Sequence, residues 1–318
     1  MAMGTLAKNQ IAGAGYTAAY AGMIAANSVF IGYLVRGVSP ALLAFGSLLM
    51  ATVIFRCLRR YWSGVDTQRT GRLRAPGVLP DLLKLNAYTA ITWLGLFYAV
   101  QYLRPSVNAM IVNSVGPLLM AVMWRRLRPG SPTLKPEKTA AAGILLSMFI
   151  LVGTSFVRSG QQSLAGGLVC LGVFIALVCG ALQTSIVLSN KRLLEAGLHV
   201  TDVLSNRFLM TILIAGVLAW LDPHTTVAQV RSNLGYIAIL AVTFVVLPAV
   251  TLQLGLQRAE PVTVMIILFC IPLLTAAMEL LDPAHAFDRI MFTGVCVGIA
   301  AAMYGALARR SIRAETPA

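Results

Sequence analysis

QYLRPSVNAMIVNSVGPLLMA, residues Gln101–Ala121, decides how this chain is read. It occurs again in degenerate form as QRAEPVTVMIILFCIPLLTA, residues Gln257–Ala276. Each copy opens with Gln-x3-Pro (Gln101 to Pro105, Gln257 to Pro261) and reaches a second proline inside Pro-Leu-Leu-x-Ala (Pro117, Pro272). The copies are offset by 156 residues at the first proline and 155 at the second, close to half of the 318-residue chain. A matched pair of proline-interrupted apolar segments, one per half, is the pattern left by duplication in membrane carriers.

The composition agrees. Hydrophobic residues make up 58% of the chain and charged residues only 11%, against about 25% charged in an ordinary soluble domain. Mean hydropathy is +0.80. The net charge of +14 does not read as a nucleic-acid surface, because the basic residues sit in short loops between apolar runs. A nucleic-acid surface would show a basic stripe interleaved with aromatics. The five cysteines lie in or beside apolar segments without CxxC spacing, so neither a zinc site nor a disulfide framework is expected. MAMGTLAKNQ precedes an apolar run of about 25 residues, too long for the h-region of a signal peptide. It reads as the lead-in to a retained first span.

Ten apolar runs reach membrane-spanning length. The first half supplies Ile11–Val35, Val38–Leu58, Leu85–Leu103, Pro105–Trp124 and Thr139–Val157. The second supplies Gly166–Ser189, Val203–Leu221, Leu234–Leu256, Pro261–Leu281 and Arg289–Ala308. With residues 1–10 in the cytoplasm and the spans alternating, 20 Lys and Arg face the cytoplasm and 5 face the other side. That is a strong positive-inside bias, and it puts the tail, residues 309–318, in the cytoplasm too. Five spans per half then give the halves opposite orientation. The expected fold is an all-α integral membrane protein of ten helices, built as two inverted five-helix repeats (residues 11–157 and 166–308) around a joint at 158–165.

On these features the chain resembles the drug/metabolite transporter superfamily, in particular its ten-span EamA-like branch. The resemblance rests on the 5+5 duplication and the paired proline motifs. It is extended by the basic fourth-to-fifth connection, the Gly-bearing TAAAGILLSMFILVG (Thr139–Gly153) and the Gly-rich FTGVCVGIAAAMYGAL (Phe292–Leu307). It implies a secondary carrier working by alternating access, more often outward. Three features depart from the family pattern: the second span reads AFGSLL without its arginine, the fourth runs into Trp124-Arg125-Arg126 where a Gly-Glu pair is common, and the ninth has only Glu279, closer to its proline than usual. QTSIVLSNKRLLEAG (Gln183–Gly197) also resembles the sixth-span exit of triose-phosphate and nucleotide-sugar translocators, where a lysine helps to hold phosphate. The plainer reading of Lys191 and Arg192 is topological charge.

Polar side chains inside spans face the bundle interior or a wet cavity, and here they are few. The cavity is expected to be lined by Asn27, Trp93, Tyr98, Asn113, Gln183, Arg207 and Gln253, with Arg207 the anion contact. Trp93 and Tyr98 stand within their span, whereas lipid-facing aromatics concentrate at its ends. Asn108 and Asn113 are five residues apart, about 140° around a helix, so Asn113 is favoured alone, four residues before Pro117. Proline at 117 frees the carbonyl of residue 113, and Pro272 that of Leu268. Each proline is a hinge or a packing kink. Asn27, Gln183 and Gln253 read equally as interhelical hydrogen-bond glue.

Glu279 is the one acid inside an apolar run and the candidate for proton coupling. The lack of acids in the first six spans argues against lipophilic cations and for neutral, anionic or zwitterionic solutes such as amino acids. The histidines (His199, His224, His285) lie in loops without ligand spacing, and no catalytic motif is present. The expectation is a non-enzyme with no cofactor and no metal; a membrane-embedded transferase and a non-transporting scaffold, the latter disfavoured by the short loops, are the lesser alternatives. Its partners are a small-molecule solute and membrane lipid, with a homodimer allowed and no nucleic acid. Heavy Ala, Gly and Arg use favours a bacterial inner membrane.

Overall fold

In the computed structural model, residues 2–63, 77–115, 135–159, 163–223, 225–259, 261–281 and 288–315 are described, and among them the only regular structure is helical. The helices are α1 (Ala2–Leu34), α2 (Pro40–Ser63), α3 (Val78–Tyr102), α4 (105–115), α5 (Lys135–Ser159), α6 (Ser163–Glu195), α7 (Val200–Asn206), α8 (Leu209–Leu221), α9 (Val227–Leu240), α10 (Leu247–Arg258), α11 (Pro261–Phe269), α12 (Ile271–Glu279) and α13 (Arg289–Glu315). A π-helical segment, Ala241–Val246, joins α9 to α10. Among the described residues, five stretches are long and apolar enough to cross a membrane: Asn9–Leu34, Pro40–Tyr61, Gly166–Gln183, Val200–Leu221 and Val227–Leu256. Thr139–Thr154, Ile267–Glu279 and Arg289–Tyr304 are shorter apolar helices. The protein is thus all-α with several helices of membrane-spanning character.

Two compact units form. The first takes Met1–Tyr33, Ala99–Leu177 and Leu247–Ala318; the second takes Leu34–Tyr98 and Val178–Val246. Neither coincides with a sequence half. Within each unit, a helix from one half buries its apolar face against a helix from the other.

In the first unit the clearest case is α5 on α13. Gly294, Gly298 and Ala302 repeat at four-residue intervals and so line one face of α13. A Cβ at Gly294 would stand 3.0 Å from Ile150 Cγ2, and one at Gly298 would run into Met110 and Ser147. Ser147 Oγ donates to the Gly294 carbonyl at 2.6 Å, a polar contact possible only where backbones come this close. α1 approaches α10 in the same way. A Cβ on Gly13 would collide with the backbone of Ala259 and Arg258, whereas one on Gly15 would meet nothing. Gly13→Ala should therefore destabilise by about 1–3 kcal/mol through overpacking. Gly15→Ala, in the same helix, should gain about 0.5–1 kcal/mol from propensity. Opposite shifts in melting temperature are the expected result.

In the second unit, α2 runs antiparallel to the α7–α8 pair. Ala219 packs on Ala41 and Leu42, Gly216 faces the Phe45 ring, and Asp202 meets Arg59, so contacts descend one helix as they climb the other. α6 is stopped by glycine chemistry. Gly197 has φ +85°, its N–H reaches the Leu194 carbonyl, and Leu198 N–H reaches that of Leu193. This is a Schellman ending, and its usual apolar contact is present, because Leu193 and Leu198 share a cluster with Val78, Leu85, Ile186 and Val203. His199 then caps α7, its side chain accepting from Thr201 N–H while Asp202 accepts from His199 N–H.

Candidate functional site

The second unit holds a broken helix. α7 ends at Asn206 and α8 begins at Leu209, with Arg207 and Phe208 between them. Neither a proline nor a glycine stands there. The cause is Asn86 of α3, a buried side chain whose Nδ2 donates to the Asn206 carbonyl at 2.8 Å. Its Oδ1 accepts from Met210 N–H at 3.2 Å. In an unbroken helix those two groups, four residues apart, would bond each other. The carboxamide is inserted into that bond, a recognised way to interrupt a helix ladder.

The break fixes what stands in it. One turn along α3 from Asn86, Thr89 Oγ1 accepts from Arg207 Nε at 3.4 Å, and the guanidinium lies 5.4 Å from the Phe208 ring centre. Phe208 meets Trp93 edge-on at 5.5 Å. Trp93 also meets Phe244 of the π-helical segment at 5.1 Å, and Phe244 meets Phe97 at 6.0 Å. Asn86, Thr89, Trp93 and Phe97 recur at three- and four-residue steps, so a single face of α3 carries an amide, a hydroxyl and two aromatic rings. Two irregular backbone segments, the break and the π turn, flank this face; both kinds of irregularity favour functional positions.

In the first unit, Glu279 ends α12 fully buried. Its Oε1 accepts from Ser106 N–H at 2.7 Å, its Oε2 from Ser106 Oγ at 2.9 Å, and Arg104 Nε stands 3.5 Å from Oε2. Ser106 is the second residue of α4, after Pro105, so the carboxylate supplies the N-terminal cap of a helix 173 residues away. The residue expected to couple protons ties α4 to α12.

The other expected residues are dispersed. Trp93 and Arg207 are brought together through Phe208. Asn27 and Asn113 turn their amides back onto their own helices, to Met23 and Ala109 carbonyls, each at 2.7 Å. The buried amide whose Oδ1 has no hydrogen bond among the described residues belongs to Asn108. Gln183 is exposed, while Tyr98 and Gln253 are half-buried. Pro272 is the second residue of α12, just past a break at Cys270, whose N–H folds back to the Ile267 carbonyl at 3.0 Å. Pro117 lies outside the described residues. Asn86, Thr89 and Ser106 were not singled out from the sequence. Asn86, an amide entering the apolar run that begins at Leu85, was the one available signal.

No family model matches the chain, and no curated protein matches it. Among solved structures, one described as "Crystal structure of protein" superposes with a TM-score of 0.62 at 17% identity, covering 96% of this chain and 99% of that one. At that identity the likeness is one of fold.

Proposed function

We propose that the chain is a secondary carrier for a small polar metabolite, an amino acid or related solute, exported across a bacterial inner membrane by alternating access. In this reading the ten apolar runs are ten spans in two inverted five-span repeats, with both termini cytoplasmic. The fold belongs to the EamA-like branch of the drug/metabolite transporters. The observation that carries the proposal is the interrupted helix α7–α8, with Arg207 in the gap and the Trp93–Phe208–Phe244 rings beside it. Discontinuous helices are where secondary carriers bind substrate, and a half-buried arginine within an apolar, membrane-length stretch is a functional candidate by default. Pro117 and Pro272 are the hinges of this scheme, and Glu279 is its candidate proton site.

Counterflow in proteoliposomes tests it, with labelled amino acids, sugar phosphates and nucleotide sugars, with and without a pH gradient. Uptake of at least one amino acid is expected. Arg207→Gln should slow that uptake about tenfold or more, the worth of a charge-assisted hydrogen bond. Obligate exchange of phosphorylated solutes alone would move the protein to the translocator class. Silence of the folded protein across the panel would sink the carrier reading.

A further inference from the structure

We infer that the end of α2 that carries Arg56 and Arg60 binds an anionic phospholipid, its phosphodiester held between the two guanidiniums and its acyl chains lying along Leu49 and Val53. Lipid binding here needs α2 to stand in a bilayer and does not need the chain to carry a solute.

α2 places its three arginines differently. Arg59 turns inward and ends 2.6 Å from the buried Asp202. Arg56 and Arg60 are exposed and make no ion pair, hydrogen bond or ring contact among the described residues. At 100° per residue, Leu49, Val53, Arg56 and Arg60 fall within about 60° of arc and form one stripe, with Arg59 about 90° round from its middle. Leu49 is 41% exposed and Val53 52%, while the far face of the helix buries Leu48, Ala51 and Phe55. α2 supplies an apolar stretch long enough to cross a membrane, Pro40–Tyr61. The stripe therefore runs from acyl-chain depth to the end of the span. Tyr61 is exposed beside Arg60, where an aromatic marks headgroup level. Two guanidiniums one turn apart, about 5–6 Å between Cβ atoms, suit the oxygens of one phosphate.

The packing leaves no acid to answer these two charges. Asp202 pins the same end of α2 to the start of α7. Val203 there shares a cluster with Val78 and Leu85 of α3 and with Ile186 and Leu193 of α6. Four helix termini thus meet at one end of this unit. The exposed cations described on them are Arg56, Arg60, Lys84 and Arg192. Of the described acids, Asp202 is taken by Arg59, Asp81 lies 3.9 Å from Lys84, and Glu195 has a partner of its own. Positive-inside sorting accounts for arginines at this end. It does not account for two of the three standing on the outward apolar stripe, free of any acid.

Native mass spectrometry of the purified chain in detergent tests this, with phosphatidylglycerol or phosphatidylcholine titrated in and melting temperature as the check on folding. Saturable binding of phosphatidylglycerol is expected, about tenfold tighter than that of phosphatidylcholine. The double variant Arg56→Gln, Arg60→Gln should weaken phosphatidylglycerol binding about tenfold or more and leave phosphatidylcholine binding unchanged. The pair Arg231→Gln, Arg289→Gln removes the same charge from exposed positions elsewhere and should bind as the wild type does. Equal loss in that control would reduce the effect to net charge and overturn the site. So would a folded wild type that does not discriminate between the two lipids. Displacement of the lipid by an equal concentration of glycerophosphoglycerol, the headgroup without its chains, would overturn it as well. If the double variant does not fold, Arg56→Gln and Arg60→Gln decide singly, each expected to lose part of the affinity. Counterflow absent with lipid binding intact would remove the carrier reading and leave the lipid site standing.

Discussion

Glu279→Gln should lower the stability of the purified protein in detergent by about 3–5 kcal/mol, the cost of breaking a buried ion pair from one side. Both partners are deeply placed: the side chain of Glu279 is 1% exposed and that of Arg104 16%. Glutamine keeps an acceptor for Ser106 N–H, but it turns an amide toward Ser106 Oγ and Arg104 and leaves the guanidinium without its counter-charge. Ser106→Ala removes one hydroxyl donor and should cost only about 1 kcal/mol. The double variant Arg104→Met, Glu279→Gln should recover much of the loss, because the uncompensated charge goes with it. Thermal unfolding followed by a thiol-reactive dye or by light scattering reads all three. A double variant no better than the single would mean that Glu279 acts through Ser106 alone. Transport by Glu279→Gln protein informs about proton coupling only in the fraction that is shown to be folded.

Asp202→Ala should be the next most damaging change, at about 2–4 kcal/mol, in the second unit. Asp202 is buried and does two things. Its Oδ1 stands 2.6 Å from Arg59 Nε, as an ion pair without hydrogen-bond alignment, and its Oδ2 accepts from His199 N–H at 3.3 Å. The truncation removes the counter-charge of Arg59 and half of the α7 capping box, each cap being worth about 1 kcal/mol. The loss should fall short of that for Glu279, because the Arg59 side chain is 26% exposed and can turn toward water when abandoned. Asp202→Asn, which can still accept from His199, should lie between wild type and Ala. A loss for Asp202→Asn equal to that for Ala would assign the whole effect to charge.

Much of the architecture was legible because membrane-spanning helices announce themselves by length and apolarity. Local chemistry was legible as well. Pro261 opens a helix and Pro272 stands just past the break in the apolar run that the sequence expected to be interrupted there. The boundaries moved most where polar residues extend a helix beyond its apolar run, as in α1, α6 and α13. The site was legible in part. Trp93 and Arg207 were named from their places in apolar runs, and they meet through Phe208. The break that joins them was not legible, because its cause is Asn86, 120 residues upstream in the chain. Ser106 and Glu279 are likewise paired across 173 residues. A single sequence carries no signal for a hydrogen bond between distant segments, so Glu279 read as an isolated acid when it is one member of a cluster. Gln183 was named because it is polar within an apolar run, and it turns out to be exposed; an amide on such a helix looks the same in sequence whichever way it faces.

The glycine stripe on α13 bears on stoichiometry. Gly294, Gly298 and Ala302, four residues apart, form the small-residue face on which two copies of a membrane helix commonly pair. In this chain that face is already occupied by α5 of the same molecule, down to the Ser147–Gly294 hydrogen bond. A homodimer built on this fold therefore has to assemble through some other surface, and mutating the stripe to probe self-association would unfold the protomer before it separated the pair.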